Sequence, residues 1–133
     1  MKEFVNKGRF EFVHGGYSLH DEATAHYEDI ITNMKVGHDF LLSEFDVTPS
    51  IAWQIDQFGH TAANAALLKR MGYDYLVFAR APYKLKKTLR DSNNLEFKWK
   101  ISDYPKDEMK VHLMYDMYWS PQGFEFDDYF NDE

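Results

Sequence analysis

Ser50-Ile51-Ala52-Trp53-Gln54-Ile55-Asp56-Gln57-Phe58-Gly59-His60-Thr61 decides the fold. Ile51 to Ile55 reads as a buried strand that stops on the carboxylate of Asp56. A glycine turn follows, and Ala62 to Met71, rich in alanine and leucine, reads as a helix that Gly72 ends. A charged group closing an apolar strand is costly unless something pairs with it. In α/β architectures the carboxyl ends of the strands are where such residues do chemistry.

Working outward, Tyr75-Leu76-Val77-Phe78-Ala79 is a continuous apolar run, as expected of a parallel strand covered on both faces. Arg80 stands directly at its end. Upstream, Arg9 to Val13 alternates as a strand does, and Gly15-Gly16 breaks it. Ser18 and Asp21 resemble a helix cap, with Asp21-Glu22 as first-turn acids. Tyr27, Ile30, Ile31, Met34, Leu41 and Phe45 then share one helical face until Thr48-Pro49, with Gly37 as a point of weakness. Downstream, a shorter helix and two strands, Leu95–Ile101 and Val111–Tyr115, are expected. The alternation predicts an α/β fold with a mainly parallel sheet. So few strands leave two open edges, which predicts that the chain is part of a larger sheet or barrel.

Composition narrows the partners. The 133 residues suffice for one small domain. With 15 Lys+Arg against 22 Asp+Glu and a net charge of −7, there is no basic run of the kind nucleic acids attract. Part of that excess falls in Glu125 to Glu133, read as a solvated acidic tail. There is no cysteine, hence no disulfide framework, thiolate metal site or cysteine nucleophile. No apolar run reaches the roughly 18 residues of a membrane span, and Met1 to Lys7 lacks a signal-peptide core. An aromatic content of 17% suits a core and also a sugar-binding cleft.

Each candidate residue carries two readings. Asp56 is either a cap or turn aspartate, or a nucleophile, base or metal ligand. His60, four residues on, either shares a metal with Asp56 or fixes the loop by hydrogen bonding. Gly59 is expected to supply a backbone conformation barred to other residues. Arg80 either neutralises Asp56, or holds a substrate hydroxyl and lowers the carboxylate pKa. His14, His20 and His26 recur every six residues without zincin-type spacing. Trp53, Trp99, Trp119 and Tyr118 are read as core or cleft wall.

Together, Val13-His14-Gly15-Gly16-Tyr17, Asp21-Glu22-Ala23, Trp53-Gln54-Ile55-Asp56-Gln57-Phe58-Gly59-His60-Thr61 and Arg80 resemble glycoside hydrolase family 38, the class II α-mannosidases. The family reads approximately N-G-G-W, D-E-A and W-x-I-D-P-F-G-H-S. The match keeps order and spacing from about Gly8 to Trp99, and residues 100–133 match loosely. The Phe-Gly-His form is similar to the lysosomal and Golgi branches, so the resemblance implies a lysosomal or secretory location. It implies part of a mainly parallel β/α barrel of the glycoside hydrolase/deacetylase-like kind. The implied activity is a retaining, zinc-dependent α-mannosidase acting on mannose-containing oligosaccharides. It implies that Asp56 is both nucleophile and zinc ligand, and that zinc grips sugar hydroxyls and helps distort the ring. Arg80 matches a substrate-binding arginine, Tyr118 loosely a substrate-contacting tyrosine, and His60, Gly59, Asp21 and Glu22 positions that support the site.

The departures are Tyr17 for Trp, Gln57 for Pro and Thr61 for Ser, of which Gln57 is expected to loosen a turn that proline stiffens. Nothing matches the family's opening H-x-D-x-G-W segment. That segment, the acid/base aspartate and the last histidine ligand are expected outside this chain, which leaves Asp56 as one of about four protein zinc ligands. The 133 residues are therefore expected to be a fragment of the N-terminal catalytic domain, inactive alone. The reading from a different class is a noncatalytic carbohydrate-binding or scaffold protein derived from that fold. A deacetylase-like metal hydrolase would need a His/Asp metal set, and none is recognisable.

Overall fold

The computed structural model describes residues 1–103, 107–120, 123 and 124; the acidic tail from Glu125 lies outside the described residues. The elements run α1 (Lys2–Asn6), α2 (Tyr27–Phe45), β1 (Ile51–Gln54), α3 (Ala62–Arg70), β2 (Tyr75–Phe78), α4 (Tyr83–Asp91), β3 (Glu96–Lys100) and β4 (Glu108–Leu113). The four strands form one open sheet in the order β1-β2-β4-β3. β1 with β2 and β2 with β4 are parallel, and β3 joins β4 antiparallel. The sheet is therefore mixed, with β1 and β3 at its edges. No helix of the described residues is long and apolar enough to cross a membrane.

Register builds the core. Ala52, Leu76 and Val111 lie in one row across the sheet, and Gln54, Phe78 and Leu113 in another. Both rows are buried, and Ile30 and Met34 of α2 and Leu68 of α3 pack with them. The opposite face is less covered: Val77 is half-buried, Tyr75 and His112 are exposed. β2 is thus covered fully on one face, not on both as its continuous apolar run predicts.

Three local expectations are corrected. Arg9–Val13 is irregular, not a strand. Its alternating pattern has no ladder to join: after it His14 N–H donates to Ile51 C=O at 2.7 Å, and His14 and Gly15, with φ of 59° and 83°, turn the chain away. The long helix begins at Tyr27, capped by His26, so Ser18 does not cap it and its first-turn acids are Glu28 and Asp29. Asp21 instead closes a turn, accepting from Thr24 N–H at 2.8 Å and Thr24 Oγ1 at 2.6 Å. Those bonds hold its carboxyl below the usual range. Finally, α2 runs unbroken through Gly37. The Gly15–Tyr17 backbone lies against it there: a Cβ on Gly37 would sit 2.1 Å from Gly15 O and 2.5 Å from Gly16 C.

Candidate active site

Asp56 lies two residues beyond the end of β1 and Arg80 two beyond the end of β2. Because Gln54 pairs with Phe78, the two side chains leave the sheet at the same level. Tyr118 comes from the segment after β4, the next strand across, which ends at Leu113. Three adjacent parallel strands thus deliver a carboxylate, a guanidinium and a phenol to one carboxyl-end rim, where such sheets place their chemistry.

The three groups meet on one atom. Asp56 Oδ1 accepts from Arg80 Nε at 2.8 Å, from Arg80 Nη2 at 2.5 Å and from Tyr118 OH at 2.8 Å. Asp56 Oδ2 has no hydrogen-bond partner among the described residues. The carboxyl is held below its usual range, first by the hydrogen bond from Arg80 and then by that from Tyr118, against the opposing effect of desolvation. Arg80 is stabilised reciprocally in its charged form, chiefly by its hydrogen bond to Asp56. The pair remains open to solvent, with side-chain exposures of 47% for Asp56 and 39% for Arg80.

Aromatic surface surrounds this rim. Phe58 is 80% exposed, with its ring centroid 5.1 Å from Arg80 Cζ. Phe58, His60, Phe78, Arg80 and Trp99 line part of a cleft of about 600 Å³. Trp99 is therefore cleft wall, and Trp119 is exposed beside Tyr118. Phe58 was not singled out by sequence reasoning. An aromatic between a strand-end carboxylate and a glycine is its available signal.

Of the remaining candidates, His60 and Glu22 are linked to the rim by hydrogen bonds through Arg80 O and Thr61 N–H. His60 does not turn toward Asp56. Its Nδ1 lies 2.9 Å from Glu22 Oε1 and its Nε2 3.0 Å from Arg80 O, contacts that tie the loop to the Asp21–Glu22 turn and to the end of β2. Glu22 Oε2 accepts from Thr61 N–H at 2.8 Å. Asp21 is not brought to the rim. Gly59 is not left-handed and has nothing within 4 Å of an added Cβ, so the expected conformational need for glycine is absent. Gln57 is buried, and its Nε2 donates to His20 O at 3.1 Å, a tie that a proline could not make. His14 and His20 lie in loops and His26 caps α2. His14 is buried and its pKa falls to about 3, chiefly through desolvation, so it stays neutral.

Lys86 also went unnoticed in the sequence. Its Nζ donates to Ala79 O at 2.8 Å and to Asp116 O, tying the end of β2 to the segment that carries Tyr118. Arg90 Nη1 adds a bond to Asp116 Oδ1 at 2.7 Å.

Among the described residues no three His, Cys, Asp or Glu side chains converge as metal ligands do. Asp56 is a single carboxylate, whereas zinc takes roughly four protein donors. The described residues by themselves do not fit a zinc centre.

The glycosyl hydrolases family 38 N-terminal domain matches residues 1–132 of this sequence. The chain belongs to glycosyl hydrolase family 38. It is 36% identical over 128 residues to a lysosomal alpha-mannosidase of Dictyostelium discoideum, covering 96% of this chain and 13% of that protein. Alpha-mannosidase F of the same organism is 39% identical over 128 residues, covering 94% of this chain and 13% of the relative. A lysosomal alpha-mannosidase of Bos taurus is 37% identical over 132 residues, with 96% and 13% covered. The family 38 chain thus spans 13% of the length of these curated relatives.

Proposed function

We propose that residues 1–133 are one part of the N-terminal catalytic domain of a retaining α-mannosidase, and that Asp56 is its nucleophile. The carrying observation is the asymmetry of the Asp56 carboxylate. Oδ1 is held by Arg80 and Tyr118, and Oδ2 has no hydrogen-bond partner among the described residues. A retaining glycosidase needs such a positioned, ionised carboxylate and a second carboxylic acid.

In the first step Asp56 Oδ2 forms a bond to the anomeric carbon of a terminal α-mannose while the glycosidic C–O bond breaks. The leaving oxygen takes a proton from the acid, which in this reading lies outside the described residues. Water then attacks the anomeric carbon, gives that acid a proton back and frees the Asp56 carboxylate. Arg80 and Tyr118 keep Asp56 ionised and aimed, and Arg80 is placed to meet a sugar hydroxyl. A depressed carboxyl pKa suits an acidic compartment, which fits the lysosomal relatives and a lysosomal or secretory location.

Zinc dependence is part of this reading through the family resemblance alone, with Asp56 as one ligand and the others outside the described residues. The sheet is proposed to be a sector of a β/α barrel, because it is open and its edge strand β1 is parallel to its neighbour and unpaired on its outer side among the described residues. The substrate class is mannose-containing, N-glycan-type oligosaccharide. The purified 133-residue chain is expected not to hydrolyse an aryl α-mannoside. Turnover by that chain, abolished by Asp56→Asn, would overturn its incompleteness.

A further inference from the structure

Both ring nitrogens of His60 are engaged, and their partners fix its proton count. Nε2 lies 3.0 Å from the Arg80 carbonyl oxygen. A carbonyl only accepts, so Nε2 carries a proton. Nδ1 lies 2.9 Å from Glu22 Oε1. Glu22 Oε2 takes the backbone N–H of Thr61 at 2.8 Å, and Thr61 is the N-cap of α3. A helix N-terminus and a backbone N–H both favour the anionic carboxylate. To an ionised carboxylate, which only accepts, Nδ1 must donate, and that requires a second proton on the ring.

The surroundings agree with a cation at His60. The Glu22 side chain is 2% exposed and that of His60 12%, and a carboxylate so buried needs a counter-charge. The ring of Phe78 lies 4.2 Å from the imidazole between centroids, tilted by 35°, and an aromatic face attracts a cation. Among the described residues Glu22 is the ionisable side chain that pairs with it.

We infer that His60 is an imidazolium, and that the Glu22–His60 ion pair positions Arg80 by gripping its backbone carbonyl. The pair joins three segments: the Asp21–Glu22 turn, the loop after β1 and the end of β2. With the Arg80 carbonyl fixed, its guanidinium is set on Asp56 Oδ1. The functional meaning rests on the reading of Asp56 as the reacting carboxylate, whereas the proton count does not. Glu22 and His60 are positioning residues that act through Arg80.

The test is ¹⁵N NMR of the chain labelled in histidine and arginine, at neutral pH. His60 is expected to show two protonated ring nitrogens, each coupled to its own proton. In Glu22→Gln, whose amide can donate to Nδ1, one ring nitrogen is expected to lose its proton. The Arg80 Nε–H resonance is expected to shift toward its position in Asp56→Asn. Glu22→Asp, which keeps the charge and shortens the reach, is read the same way for the Arg80 shift should Glu22→Gln not fold. A native His60 ring with one bare nitrogen overturns the proton count, and an unmoved Arg80 resonance overturns the positioning role. Neither readout involves mannoside turnover, so failure here is distinct from failure of the glycosidase reading.

Discussion

Arg80 places Nε and Nη2 on the same oxygen of Asp56, Oδ1, at 2.8 and 2.5 Å. The geometry is a two-donor grip on one atom, and it leaves the other oxygen available. It also sets the sign of a pH effect. The folded carboxyl titrates below its unfolded value, so the pair's contribution to stability is present above the ordinary carboxylate range. That contribution is lost as pH falls through the depressed value. Arg80→Gln is expected to return Asp56 toward the ordinary range and Tyr118→Phe to do so by less, read by ¹³C carboxyl titration. Because both groups are well exposed, neither variant is expected to change unfolding stability much.

Lys86 bears on the same carboxylate from a distance. By holding Ala79 O and Asp116 O it keeps the Tyr118 segment beside β2. Lys86→Met is expected to raise the Asp56 carboxyl as Tyr118→Phe does, and to add little when combined with it. Additive shifts in the same titration would contradict this coupling.

Two glycines should behave oppositely. Gly37→Ala drives a methyl into backbone at Gly15 and Gly16, where neither side has a flexible end to move. It is expected to cost about 3 kcal/mol or to prevent folding. Gly59→Ala meets nothing within 4 Å and is expected to stay within about 0.5 kcal/mol of the parent. Urea unfolding of the two variants checks the contrast.

Tyr73 is fully buried, and its hydroxyl donates to His14 O and lies 2.6 Å from His38 Nε2. Burial pushes the phenol pKa up, which keeps it protonated and able to donate. Tyr73→Phe removes one hydrogen bond but leaves His14 O and His38 Nε2 to each other at 3.0 Å, and is expected to cost about 1 kcal/mol in chemical denaturation.

The β1–turn–α3–β2 unit was legible because its signals are local: an apolar run, a terminal carboxylate, an alanine- and leucine-rich stretch and a C-terminal glycine. Parallel register then brought Asp56 and Arg80 together, as strand polarity requires. What stayed hidden depends on partners distant in the chain. Arg9–Val13 alternates as a strand does, yet a strand exists only through a neighbour's ladder. Gly37 looked like a helix weakness because the backbone pressed against it belongs to residues 15–17. Gln57 looked like a loss of stiffness because the carbonyl it reaches is that of His20. The roles of Glu22 and Lys86 likewise rest on bonds spanning 39 and 30 residues.

The central claim is that Asp56 is the carboxylate that bonds to the sugar. It is tested most directly by exchanging these residues for the matching segment of the Dictyostelium lysosomal alpha-mannosidase. The hybrid is treated with a slowly released fluorinated mannosyl fluoride and digested for mass spectrometry. The account predicts a fluoromannosyl adduct on the peptide carrying Asp56, absent from the Asp56→Asn hybrid, which also loses turnover. An adduct on a different carboxylate, or turnover undiminished by Asp56→Asn, would contradict it.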